Sequence, residues 1–280
     1  MGRRPVSARA GPVSRPPHAP WRAGPPRFAV GLKPIDPAAW LTPDTEAHVL
    51  QQKRSILARP ELCFRQSHKA NAAQHEAARL VASAVGEPLG EGPPLLAAAA
   101  LVSDDLVVME ADENGDWRAT SIVLTAPTFF TIDRAFDAGL EALHGPVPDG
   151  ERLARRIGRV FDNLPDDAVL ERFNWTLQAG GERFTPDAAP LRDRARAAPS
   201  EMAADLLHVR VERQTIRRLP DTDAVLFTIR VCLDPVTAIA EEDRAVLAKA
   251  WRGISEDGRA YKGWDALDHL AQAQFAAWGV

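Results

Sequence analysis

Three stretches of the chain alternate apolar and polar residues with the two-residue period of a half-buried strand. In "ERFNWTL" (171–177), Arg172, Asn174 and Thr176 share one face, and Phe173, Trp175 and Leu177 the other. In "LHVRVERQ" (207–214), His208, Arg210, Glu212 and Gln214 oppose Leu207, Val209, Val211 and Arg213. In "AVLFTIRV" (224–231), Thr228 and Arg230 oppose Val225, Phe227, Ile229 and Val231. Two more strands are predicted in 99–112 and 116–127, on either side of "ENGD", whose Asn114-Gly115 pair suits a hairpin tip. Helical patterns fill 42–58, with Thr42 as cap and Pro43 in the first turn, and 71–85, closed by Gly86. Others fill 151–164 and most of 234–278. About five strands joined mainly as hairpins, with helices before, between and after, give an α+β fold on an antiparallel sheet with flanking helices.

Residues 1–27 break this pattern. They hold seven prolines, three glycines and six arginines, with no acid, and are expected to form a disordered Arg/Pro-rich tail ahead of a single domain over 28–280. The whole chain has 34 Lys and Arg against 38 Asp and Glu, so removing the tail leaves a distinctly acidic body. That balance argues against nucleic acid as a partner. No apolar run approaches the roughly 18 residues of a membrane span. Cys63 and Cys232 lie far apart, form no metal or redox motif, and suggest reduced thiols in a cytoplasmic protein. Phosphate-binding glycine loops, a G-x-S-x-G elbow and paired zinc histidines are all missing from the sequence.

The charged strand positions have two readings. They form a wet face of the sheet, or they hold something charged. Arg172 with Asn174, and Arg210 with Glu212, are each spaced two apart, so each pair points one way. Arginine's planar fork matches carboxylates and phosphates. His144 likewise has two readings. It ends an apolar helical turn in "GLEALHGPVPDG", and the glycine and prolines that follow stiffen the chain. It either caps that turn or serves as an axial metal ligand.

Seven segments, in order, carry a family resemblance: "GLKPIDPAAWL" (31–41), "VSDDLVVM" (102–109), "LHGPVP" (143–148), "RFNW" (172–175), "VRVERQTIRRLP" (209–220), "AVLFTIR" (224–230) and "YKGW" (261–264). Together they resemble the haem-dependent oxidative N-demethylase α subunit family over about 28–270. The resemblance implies a PAS-like fold enclosing non-covalent haem b. It implies oxidation of a small secondary amine by O2 with release of formaldehyde. Electrons would come from a separate flavin and iron–sulfur reductase that uses NADPH. His144 is then the expected iron ligand, and Arg172, Asn174, Arg210 and Arg213 are expected at the cofactor. Glu212 and Arg210 become the catalytic candidates, with Glu212 balancing a cationic amine. The alternative is a haem-binding PAS-like sensor or carrier without turnover. The chain departs from the family's usual pattern ahead of the histidine motif, where "APTFFTIDRAFDAGL" keeps Pro127 without the serine and tryptophan. Its single tyrosine is Tyr261, which leaves the substrate open.

Overall fold

The structure is a computed structural model that describes residues 16–41, 47–67 and 71–280. The predicted cap at Thr42 and Pro43 and the first 15 residues lie outside the described residues. Among those described, one antiparallel sheet has seven strands: β1 (Lys33–Ile35), β2 (Phe64–Gln66), β3 (Asp105–Ala111), β4 (Trp117–Val123), β5 (Val169–Ala179), β6 (Leu207–Leu219) and β7 (Ala224–Pro235). Their order across the sheet is β1-β5-β6-β7-β3-β4-β2. The expected count of about five is therefore corrected to seven. The five predicted strands are present, and the two additions are three-residue edge strands. Each is too short to show an alternating pattern, and β1 contains Pro34, tolerated at an edge because it owes no hydrogen bond there.

Register sorts the side chains. Arg172 lies opposite Gln214 and Asn174 opposite Glu212, so these four share one face. Opposite residues of β7 include Val231, Ile229 and Phe227, so the apolar side of β7 belongs to that same face. Thr228 and Arg230 turn to the reverse face, where Arg230 lies opposite Arg213. The polar faces of the three strands thus do not coincide.

The reverse face has two apolar regions. At one end, helices Asn71–Val85 and Pro94–Ala99 pack Ala77, Val81 and Leu95 on Leu106, Val108 and Leu226. At the other, helices Glu241–Arg252 and Asp268–Ala277 pack Trp251, Leu270 and Phe275 on Trp175, Val209 and Val211. The obverse face carries helix Gly150–Asp162, whose Leu153, Ile157 and Phe161 pack against Val107, Met109, Ile216 and Val225.

Part of the segment expected to be a tail is described. Pro20–Ala23 form a short 3-10 turn, and Trp21 is 1% exposed in the core that holds Trp175, Trp251 and Phe275. Trp21 meets Trp175 edge-on at 6.3 Å. Arg22 makes two hydrogen bonds to Asp243, of 2.5 and 2.9 Å. Composition favours disorder only where a segment lacks apolar surface to bury, and one tryptophan supplies a great deal. Trp21→Ala is expected to destabilise the fold by about 3–5 kcal/mol in urea unfolding. Unchanged stability would mean that this segment does not pack as described.

Candidate functional site

On the obverse face, between the sheet and its helices, lies an apolar cavity of about 120 Å³. Val107, Met109, Ile122 and Phe227 form its floor, and Ile157 and Phe161 part of its roof. His144 and Arg172 are its polar lining. His144 ends the short helix Leu140–His144. The chain then turns through Gly145 and Val147, whose N–H returns to the His144 carbonyl at 2.8 Å. Asp149 adopts a left-handed conformation at φ 57°, and Gly150 opens the long helix. A β-carbon on Gly150 would sit 2.1 Å from the His144 carbonyl oxygen. Glycine is what lets the histidine turn lie this close to the helix that roofs the cavity.

His144 Nδ1 is 2.8 Å from the Leu140 carbonyl. A carbonyl only accepts, so Nδ1 carries the proton and donates it, leaving the Nε2 lone pair for another partner. Burial is the largest influence on this imidazole and lowers its pKa; the Leu140 bond opposes the shift and the Arg172 charge adds to it. A neutral imidazole of this tautomer is the form that binds a metal.

Arg172 links the cavity to a buried polar network. Its Nε donates to Gln214 Oε1 at 2.6 Å, and Nη1 to the carbonyls of Ala29 and Val30 at 3.1 and 3.3 Å. Gln214 Nε2 and Asn174 Nδ2 donate to Glu212 Oε2, at 2.9 and 3.2 Å. Lys262 Nζ donates to Asn174 Oδ1 at 3.0 Å and to the Trp175 carbonyl at 3.2 Å. Burial lowers the Lys262 pKa to about 8; Glu212 opposes the shift and Arg172 reinforces it. Glu212 is thus held by two neutral amides, with cations on either side of them.

The structure brings together His144, Arg172, Asn174 and Glu212, while the hydrogen bonds of Arg210 and Arg213 go to other parts of the chain. Arg210 is fully buried, and every N–H is occupied. Nε donates to Thr128, Nη1 to Gln178 and the Glu182 carbonyl, and Nη2 to the carbonyls of Ala126, Pro127 and Arg183. This guanidinium has no donor left for a ligand. It fastens the 126–128 loop, which continues through Phe129 at φ 65° to Phe130 in the cavity wall. Arg213 points from the reverse face. It pairs with Glu171 at 2.5 Å and donates to the Trp40 and Ala39 carbonyls at 2.7 and 2.8 Å. Both arginines were expected at the cofactor; the six hydrogen bonds of Arg210 and the three of Arg213 go to the protein itself.

Lys262 and Gln214 are the members that the pattern of strand faces did not nominate. Gln214 was on the right face but carried no charge. Lys262 comes from a helix, Glu256–Lys262, that reaches over the part of β5 beyond β1. Its trace in the sequence is the "YKGW" segment. The unfolded pKa of this lysine is 10.5 and the folded value about 8. Between those values the unfolded chain binds the extra proton, so the group costs stability below about pH 8 and that cost fades as pH rises. Urea unfolding at pH 7 and pH 9.5 should show a larger gain with pH for the natural chain than for Lys262→Met. Parallel pH dependence would show that the ammonium is not enclosed.

No helix among the described residues is long and apolar enough to cross a membrane. Both cysteines are free thiols, each pushed up to about 11 chiefly by burial. A family model described as haem-dependent oxidative N-demethylase, alpha subunit-like, matches residues 83–271. The matched span runs from the end of helix Asn71–Val85 to the last helix. It contains the cavity turn with His144, the polar wall of β5 and β6, and Lys262. The chain belongs to the haem-dependent oxidative N-demethylase α subunit-like family.

Proposed function

We propose that this chain holds non-covalent haem b against the obverse face, with His144 Nε2 on the iron, and oxidises a small secondary amine. The carrying observation is the free Nε2 of a neutral, half-buried His144 on an apolar cavity. The donor set fits a haem. Among the described residues no three His, Cys, Asp or Glu side chains gather as a protein-only metal site would need. A haem iron asks for one histidine and an apolar surround. The cavity of about 120 Å³ is below the roughly 300–1,000 Å³ of ordinary ligand sites, so admitting a tetrapyrrole requires its walls to move. One wall is made of short pieces, helices Ile132–Ala135 and Leu140–His144.

Bound haem supplies the oxygen chemistry, R–NH–CH3 + O2 + 2 e− + 2 H+ giving R–NH2 + CH2O + H2O. The chain's own residues do the rest. His144 is held in one tautomer by Leu140. Arg210 fixes the loop behind Phe130. Asn174 and Gln214 fix Glu212 Oε2, so that this carboxylate meets the ammonium form of the amine. Of the cations expected at the cofactor, Arg172 is the one that lines the cavity. The electrons come from a separate flavin and iron–sulfur reductase that uses NADPH.

Expression with haem should give a Soret band that His144→Ala loses. A protein that takes up no haem would overturn the reading. Glu212→Gln should lower amine oxidation at least tenfold while the Soret band persists. Equal loss of haem would make Glu212 a structural residue.

A further inference from the structure

Two charged atoms of the polar wall have no partner among the described residues. Arg172 uses Nε and Nη1 and makes no hydrogen bond through Nη2. Glu212 accepts both of its hydrogen bonds on Oε2 and none on Oε1. Neither atom is among the fully enclosed polar atoms that lack a partner, so each keeps some exposure. Among the described residues neither group makes an ion pair within 4 Å, although the Glu212 charge is felt by Arg172. They are diagonal neighbours on one face, because Arg172 lies opposite Gln214 and Glu212 two residues before it. Diagonal neighbours at that spacing are within mutual reach of long side chains.

A simple ammonium ion fits this wall poorly. It would pair with Glu212 Oε1 and leave Arg172 Nη2 empty, with a second cation, Lys262, beyond Asn174. A carboxylate alone pairs with Arg172 but meets Glu212 as a like charge. A molecule carrying both groups satisfies both atoms. We propose that the substrate is an N-methylated α-amino acid, its carboxylate on Arg172 Nη2 and its secondary ammonium on Glu212 Oε1. The proposal rests on the amine-oxidising reading above and names its substrate class.

The carboxylate that Arg172 meets has a second conceivable source, a haem propionate. Calorimetric titration of the ferric, haem-loaded protein, without reductant, separates the two. The probes are N-methylglycine, dimethylammonium chloride and sodium acetate. N-methylglycine is expected to bind at least tenfold tighter than dimethylammonium, and Arg172→Met to abolish that preference with the Soret band intact. Glu212→Gln is expected to weaken N-methylglycine at least fivefold and to leave acetate no weaker, which keeps the test open if the arginine variant fails to fold. Dimethylammonium binding as tightly as N-methylglycine, or neither binding at all, overturns the proposal. So does an Arg172→Met protein that loses its Soret band while still preferring N-methylglycine, which would give Arg172 to the propionates. If the natural chain takes up no haem, the haem reading fails by itself. The same titration of the haem-free protein then decides the amino-acid site, with the same preference supporting it and its absence overturning it.

Discussion

A guanidinium removed from water must place its N–H groups on acceptors, and β6 imposes that demand repeatedly. Arg210, Arg213 and Arg218 are 0%, 3% and 8% exposed along one 13-residue strand. Each reaches a different part of the chain. Arg210 takes the 126–128 and 182–183 loops, and Arg213 takes the 39–40 turn and Glu171. Arg218 takes the carbonyls of Phe161 and Leu164, capping the helix that roofs the cavity. Arg217 stacks over Trp40 at 5.0 Å. Neutral carbonyls make up most of these partners. Breaking one such cluster would leave a buried charge uncompensated, and that is far costlier than losing a surface pair.

The cavity depends on those clamps. Its roof helix is held by Arg218, its loop wall by Arg210, and its histidine turn by the close approach of Gly150 to the His144 carbonyl. Within this frame the obverse face changes character along its length. It is apolar where Ile216, Phe227 and Val107 meet the helices, and polar where Arg172, Asn174, Glu212 and Gln214 gather. His144 and Arg172 stand where the two regions meet. An apolar surround beside a few fixed polar groups is the common composition of a small-molecule site.

Much of this was legible in the sequence. Alternation located β5, β6 and β7, and Asn114-Gly115 marked the β3–β4 hairpin. Alternation also put Arg213 on the face of Val209 and Val211, away from Arg210, and the structure keeps it there; placing it at the cofactor came from family resemblance. The two edge strands were hidden because three residues show no period. Trp21 was hidden because its neighbours are prolines and arginines, and composition averages over the one residue that packs. The saturation of Arg210 could not be read, since its acceptors are backbone carbonyls of loops far away in the chain. Lys262 stood in the "YKGW" segment, but its role was hidden for a related reason: a helical lysine gives no sign that it arches over a strand edge to reach Asn174.

Where haem sits decides between the readings of this fold. The most direct measurement is a crystal structure of the chain expressed with haem. The prediction is density for the macrocycle on the obverse face, between β6–β7–β3 and helix Gly150–Asp162, with His144 Nε2 on the iron and its Nδ1 still on the Leu140 carbonyl. Haem bound elsewhere, or an iron ligand other than His144, would contradict it.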